Sequence, residues 1–146
     1  MTPLVLRPRR LTRVCRVVAA LLAGVFAAVA VALRAGPGGG QFQPADQVAM
    51  LLLGLLLAGG VLLLTRSQVV ADTAGLRVRN LLSEKWVPWQ VVVAVRLDDG
   101  APWATLDLHD DDQLGLLAVQ ANDGQRAVDA VLALRELLRA SRGKEV

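Results

Sequence analysis

Two long apolar stretches dominate the first 65 residues of the chain. Residues 17–33 and 48–65 contain no acid, base or histidine. At ~1.5 Å rise per residue, each stretch forms about 26 Å of helix, close to the ~30 Å hydrocarbon core of a bilayer once flanking residues are included. The pattern therefore predicts two membrane-spanning helices, over about 14–33 and 48–65, joined by a loop at 34–47.

A different pattern follows residue 66, where apolar and polar residues alternate with a period of two. Such alternation is typical of antiparallel strands with one buried face, and polar turns such as Asp98-Asp99-Gly100 separate the runs. Six short strands are therefore predicted. They cover residues 68–72, 76–79, 85–88, 91–97, 103–109 and 114–120.

The end of the chain changes to helical spacing. Asn122 with Gln125 has the form of a capping box, so a helix is predicted to begin there and to end near residues 141–143. Arg135 lies off its apolar stripe. The stripe consists of Ala127, Val131, Leu134 and Leu138. The fold class is thus a two-helix transmembrane hairpin (14–65) followed by a small α+β barrel of about six to seven antiparallel strands, capped by a C-terminal helix.

Charge is distributed unevenly along the chain. The net charge is +3, yet residues 1–16 hold five arginines and no acid, whereas residues 66–146 hold ten bases and twelve acids. A surface that binds nucleic acid needs clustered bases on the folded domain, so nucleic acid is not an expected partner. The five arginines are candidates for contact with the membrane surface: Arg7, Arg9, Arg10, Arg13 and Arg16.

The same charges predict the topology. Lysine and arginine near the ends of membrane spans accumulate on the cytoplasmic side. Residues 1–13 then form a basic cytoplasmic flank, residues 34–47 form an extracytoplasmic loop, and residues 66–146 form a cytoplasmic domain. The protein is predicted to be a multi-pass protein of the plasma (inner) membrane with both termini in the cytoplasm. Cleavage of the first span as a signal peptide, after a site within residues 28–32, is the alternative, although the apolar run exceeds the usual length of such signals.

The order of elements resembles the bacterial pleckstrin-homology (PH)-like domains, in the branch named after low molecular weight protein antigen 6. The resemblance covers about residues 14–140 and rests on loose hydrophobic patterns. Two segments carry it: Asp72-Thr73-Ala74-Gly75-Leu76-Arg77-Val78 and Trp86-Val87-Pro88-Trp89-Gln90-Val91-Val92-Val93-Ala94-Val95. It implies a seven-strand barrel, preceded in many members by one or two membrane helices. No activity is inferred from the resemblance. The Arg- and Ala-rich composition is typical of actinobacterial members.

Candidate chemistry is sparse. PH domains that bind phosphoinositides hold the phosphates with bases around the first strand turn, and residues 71–75, interpreted as that turn, contain Asp72 and no base, so phosphoinositide binding is not expected. His109 lies near Asp107 and residues 110–112, but the chain has no second histidine to complete a metal site. The three serines are far in sequence from this histidine. No catalytic residue, metal or cofactor is predicted, and the protein is not expected to be an enzyme.

Two sets of residues are candidates for contact with other molecules. Trp86, Trp89 and Trp103 are interpreted either as packing residues or as a partner-binding patch. Small residues with four-residue spacing on the first span indicate close helix packing, or a chance pattern in an alanine-rich helix. These small residues are Ala20, Gly24, Ala28 and Ala32.

These observations predict a membrane-anchored PH-like interaction or scaffold module at the inner membrane face, without catalysis. The protein would be integral to the bilayer, and its partner a membrane or membrane-proximal protein. Two alternatives stay open. The chain is an accessory subunit that joins a larger membrane complex through the hairpin, or it senses anionic lipid through the arginines of residues 7–16, each of which adds ~1 kcal/mol near an anionic surface.

Overall fold

A computed structural model describes residues 2–35 and 43–143. The chain divides into two compact units. One unit is Leu11–Thr65. The other combines Met1–Arg10 with Arg66–Val146, so it contains residues that precede the helical segment in sequence and residues that follow it.

The helical segment contains helix α1 (Arg9–Ala35) and helix α2 (Pro44–Leu63), followed by a 3₁₀ turn at Leu64–Arg66. By length and composition, both helices are candidate membrane spans. They begin earlier than the predicted 14 and 48, and residues 36–42 of the predicted loop lie outside the described residues. The carboxylate of Asp46 accepts a hydrogen bond from the Gln43 N–H at 3.0 Å, which satisfies a free donor at the start of α2.

Close contact between α1 and α2 depends on a glycine and a side-chain hydrogen bond. A Cβ atom on Gly54 would lie 2.5 Å from Cβ of Phe26, so only glycine allows this approach of the two helices. Nearer the start of α2, the Gln47 amide donates to the backbone carbonyl of Ala30 at 3.0 Å. The two helices therefore form an antiparallel pair.

Seven strands form two antiparallel sheets, one in the order β1-β2-β3-β4 and the other β5-β6-β7. The six strands predicted from the alternating pattern are all confirmed to within one residue at each end. The strands are β1 (Leu4–Leu6), β2 (Gln68–Ala71), β3 (Gly75–Arg79), β4 (Glu84–Pro88), β5 (Val92–Arg96), β6 (Trp103–Leu108) and β7 (Gln113–Gln120).

The seventh strand comes from the N-terminus. In β1, Leu4 pairs with Ala71 and Leu6 pairs with Val69 of β2. The first strand of the sheet therefore precedes both helices in sequence, and the second follows them. The helical segment is an insertion between β1 and β2. Pro8, just after β1, is fully buried.

Helix α3 (Gln125–Arg142) covers the core and packs against β5 and β7. Its predicted apolar stripe is confirmed, because Ala127, Val131, Leu134 and Leu138 are all buried. The predicted capping box at Asn122 and Gln125 is wrong. The N-cap is instead Gly124, at φ 60°, and it makes no side-chain capping bond. A glycine adopts this backbone conformation without the strain that a side chain would cause.

Residues from both sheets and α3 form one hydrophobic core around Trp89 and Leu134. Leu4 and Leu6 of β1 pack against this core from its edge. Two apolar helices, two antiparallel sheets of four and three strands and a C-terminal helix are consistent with the PH-like fold that the resemblance implies.

Candidate functional site

The two ends of the four-stranded sheet carry different connections between strands. In an antiparallel sheet whose strands follow in order, alternate connections lie at the same end. The β1–β2 connection contains both helices, so the β3–β4 turn lies at that end, which we call the hairpin end. The register agrees, since Leu6 pairs with Val69 and Arg79 with Glu84 beside these connections.

The turn that contains Asp72 lies at the opposite end of the sheet. Its Oδ1 accepts hydrogen bonds from the N–H groups of Ala74 (2.8 Å) and Gly75 (3.0 Å), and these bonds lower the pKa of the Asp72 carboxyl. The Asp72 carbonyl accepts the Trp89 indole N–H at 2.8 Å. Residues 71–75 are therefore the second turn of the sheet, and their interpretation as the first turn is wrong. The expectation about phosphoinositides stays a prediction.

A groove of about 340 Å³ opens between β1, β7 and the start of α3, and we call it the N-terminal groove. Three arginines line it, Arg7, Arg9 and Arg126, against one carboxylate, Asp123. The groove therefore carries a net positive charge over an apolar lining. The apolar lining residues are Val5, Leu6, Ala118, Val119, Ala127 and Ala130.

Two hydrogen bonds hold the N-terminal segment beside this groove. The Arg7 guanidinium donates to the side-chain oxygen of Gln68 at 3.2 Å. The backbone N–H of Arg10 donates to the Asp123 carboxylate at 3.2 Å, which satisfies a donor in the first turn of α1 that has no partner within the helix. Arg9 and Arg126 form no ion pair with any described residue, so their charges are available to a ligand.

The three tryptophans have different environments. Trp89 is buried in the core, whereas Trp86 and Trp103 are exposed. Trp86 lies opposite Arg77 in the β3–β4 pairing. The Trp103 indole covers Gly115, where a Cβ atom would lie 2.8 Å from its Nε1. Trp89 therefore stabilises the fold, and the other two present indole surface to the outside.

Comparison of the sequence with known proteins identifies a family. A family model described as bacterial PH domain matches residues 66–137. An uncharacterised protein of Mycobacterium bovis and uncharacterised proteins of the Mycobacterium tuberculosis strains CDC 1551 and H37Rv are each 44% identical over 134 residues, which is 92% of this chain and 87% of each relative. The chain belongs to the bacterial PH domain family. No solved structure matches it significantly.

The free edge of β5 in the PH domain is covered by α3. Arg142 donates to the carbonyls of Val92 (3.1 Å) and Val93 (2.8 Å), and Arg135 donates to the carbonyl of Val95 at 2.9 Å. A peptide strand adds to a sheet edge through such backbone groups, so it would have to displace both arginines. Arg135, which the helical pattern places off the apolar stripe, thus has a structural role.

The predicted small-residue stripe is not the contact between α1 and α2. All four of its residues are exposed, and a Cβ atom on Gly24 would meet nothing within 4 Å. Contact with α2 is made by Phe26 and Ala30 instead. Packing of the stripe Ala20, Gly24, Ala28 and Ala32 against a further helix stays a prediction.

The five arginines at the N-terminus lie after β1 and along the start of α1. Arg7 follows β1, Arg9 and Arg10 begin α1, and Arg13 and Arg16 lie further along α1. All five are exposed. Two of them, Arg7 and Arg9, line the groove.

One cleft is lined by two polar side chains that are distant in sequence. His109 and Ser141 line the same cleft of about 140 Å³. The Ser141 hydroxyl donates to the Leu138 carbonyl at 2.8 Å, so its proton is not shared with the imidazole. Among residues 2–35 and 43–143, no group of three or more His, Cys, Asp or Glu side chains is placed to hold a metal ion.

Proposed function

We propose that this protein is a membrane-anchored interaction module, in which both helices cross the inner membrane and the PH domain binds a membrane-proximal protein at the cytoplasmic face without catalysis. One observation supports the proposed membrane anchoring. Because Leu4–Leu6 and Gln68–Ala71 share one sheet, both ends of the helical segment lie on the same side of any membrane. An even number of crossings is then required, and α1 and α2 are long and apolar enough to supply two.

The side of the membrane is inferred from charge. Five arginines precede the apolar part of α1 and Arg66 follows α2, whereas residues 34–47 carry one base and one acid. This asymmetry supports a cytoplasmic PH domain. The β1–β2 pairing also favours retention of the first span, because cleavage within residues 28–32 would release β1 from the sheet that it completes.

A reporter fusion tests this topology. Alkaline phosphatase needs an oxidising compartment for its disulfides, so it is expected to be active when fused at Gly39 and inactive when fused after Val146. Phosphatase activity per amount of fusion protein in cells is the measurement. The reverse pattern would place the PH domain outside, and inactivity at both positions would rule out the two crossings.

The N-terminal groove is the proposed site for the partner. Its unpaired arginines and apolar lining fit an extended protein segment that carries acidic and apolar residues. The groove is a better candidate than strand addition at β5, where Arg135 and Arg142 already occupy the backbone carbonyls.

Photo-crosslinking tests this site. A photoreactive amino acid at Gln120, which lines the groove, is expected to give a discrete protein adduct in native membranes. The same residue at Arg139, exposed on α3, is expected to give none. Arg9→Glu combined with the probe at Gln120 is expected to abolish the adduct, because the groove loses its net positive charge. Adducts identified by mass spectrometry as lipid alone would contradict binding of a protein segment.

A second candidate function is that of an accessory subunit joined to a membrane complex through α1. The exposed small-residue stripe favours it, because such residues allow close approach of another helix. With the same photoreactive amino acid at Gly24, a membrane-protein adduct there and none at Gln120 would support this candidate over the first.

A further inference from the structure

The outer face of the four-stranded sheet combines positive charge with an exposed indole. One row of paired residues crosses this face from strand to strand. Within it, Trp86 is 57% exposed, and Arg77, its partner on β3, is exposed too. Residues that flank the row along the strands, such as Leu76 and Val78, are buried in the core, so the row itself points outward. We call this surface the sheet face, and its row consists of Val5, Val70, Arg77 and Trp86.

Positive charge exceeds negative charge on the sheet face. Arg79 pairs with Glu84 next to the row, and with Arg77 these residues line a cleft of about 190 Å³. Glu84 forms an ion pair with Arg77 at 3.5 Å, but an exposed pair of this kind contributes little. Arg79 forms no ion pair with a described residue, and the Arg7 guanidinium reaches the face by donating to Gln68 at 3.2 Å. The sheet face therefore carries three arginines and one carboxylate.

The turn between β6 and β7 presents three adjacent aspartates, Asp110–Asp112, and we call it the acidic turn. All three are exposed, and none of them forms an ion pair within the described part of the chain. Asp111 has φ 57°, a backbone conformation that aspartate tolerates better than most residues, so turn geometry explains this aspartate but not its neighbours. Adjacent carboxylates repel one another, and a cationic surface placed against them would relieve the repulsion.

Apolar side chains flank the acidic turn, as the indole flanks the arginines of the sheet face. The backbone N–H of His109 donates to the Val91 carbonyl at 3.0 Å, which holds the start of the turn beside Val91. Val91 is 39% exposed, and Val93 is 41% exposed. The acidic turn therefore combines negative charge with apolar surface, and it is complementary to the sheet face in both respects.

We propose that the sheet face of one copy of this chain binds the acidic turn of a second copy. Arg77 and Arg79 pair with the aspartates, and Trp86 packs against Val91 and Val93. The two surfaces belong to different sheets, and no ion pair joins them among the described residues. The contact is therefore heterologous, and each copy keeps one free surface for a further copy, so that copies associate head to tail. The inference rests on the proposed anchoring, because confinement to one membrane raises the effective concentration of the copies.

Energy transfer between labelled copies tests the proposal with the full chain in phosphatidylcholine vesicles. The native cysteine is removed (Cys15→Ala), and a donor or an acceptor dye is attached to a single cysteine that replaces Glu136, which is exposed on α3. Three double charge reversals are compared, in the sheet face, in the acidic turn and, as a matched control, in the exposed β5–β6 turn with its two adjacent aspartates. They are Arg77→Glu/Arg79→Glu, Asp110→Arg/Asp112→Arg and Asp98→Arg/Asp99→Arg.

Transfer between unchanged copies is expected to exceed the level calculated for a random distribution at the same surface density, and to fall towards it in high salt. Reversal of the sheet face or of the acidic turn is expected to lower transfer to the random level, whereas the control reversal is expected to leave it unchanged. A mixture of donor-labelled sheet-face reversal and acceptor-labelled acidic-turn reversal is expected to restore transfer, because each chain retains the native surface that the other lacks. A variant that had merely unfolded would not be rescued in this way.

Two results overturn this inference alone, provided that the chain stays in the vesicles through an alkaline wash. One is transfer at the random level between unchanged copies. The other is a mixture of the two reversals that restores nothing. Loss of the chain from the vesicles in the alkaline wash overturns the proposed anchoring as well.

Discussion

Leu134→Asp is expected to unfold the PH domain, whereas Leu132→Asp, the same change two residues away on α3, is expected to leave it folded. Leu134 is 0% exposed in the core, while Leu132 is 50% exposed. Truncating a buried leucine to alanine costs ~2–5 kcal/mol, and a buried carboxylate without a partner costs more. A small domain has only ~5–15 kcal/mol of stability in total. At Leu132 the change costs roughly 0.5 kcal/mol of helix propensity.

The measurement is thermal unfolding of the full chain in lipid nanodiscs, followed through tryptophan fluorescence. Trp89 is buried in the same core, so its emission moves to longer wavelength when the core opens. Leu134→Ala is a milder change at the same position, and the free energy of unfolding of this variant can be quantified. If Leu134→Asp and Leu132→Asp melt alike, α3 does not pack on the sheets as described.

Removal of residues 2–7 is expected to cost the PH domain roughly 3–5 kcal/mol, although the family match at 66–137 stays intact. The deletion removes β1, whose Leu4 and Leu6 pack against the core, and it leaves β2 as an unpaired edge. Within β1, Leu6→Asp is expected to reproduce much of the loss. Val5→Asp is expected to have a small effect, because Val5 points outward and is exposed.

Pulse proteolysis of the same chains in nanodiscs measures the fraction of unfolded domain over a range of urea concentrations. A shift of the urea midpoint for the deletion and for Leu6→Asp, but not for Val5→Asp, is the expected pattern. A deletion variant with the midpoint of the unchanged chain would show that β1 contributes nothing to stability. The argument for an even number of membrane crossings would then lose its basis.

Local features of the fold could be predicted from the sequence because each leaves a pattern within a few residues. One-sided burial of a strand produces alternation, and the six strands from Gln68–Ala71 to Gln113–Gln120 were found in this way. One-sided burial of a helix produces the stripe of Ala127 and Leu134. The two apolar helices follow in the same way from length and composition.

Features that depend on distant parts of the chain could not be predicted in this way. Leu4–Leu6 is too short for a recognisable alternation and lies between Pro3 and Pro8, and its partner strand is separated from it by both helices. Without β1, the alternating pattern makes the Asp72 turn the first turn of the sheet. The cleft that Arg66, Arg79 and Leu82 line likewise depends on the position of Arg66 relative to β3.

The order of residues along the chain is enough to locate the helices and the strands after residue 66, and the apolar face of each, since these depend on neighbours within one or two turns. The pairing of β1 with β2, the cover of the β5 edge by Arg135 and the capping of α1 by Asp123 become visible only in the folded chain. Each of these depends on hydrogen bonds between residues far apart in sequence. Such a partner leaves no periodic signal, because a backbone carbonyl accepts from almost any donor, and a backbone N–H donates to almost any acceptor, that the fold brings within reach.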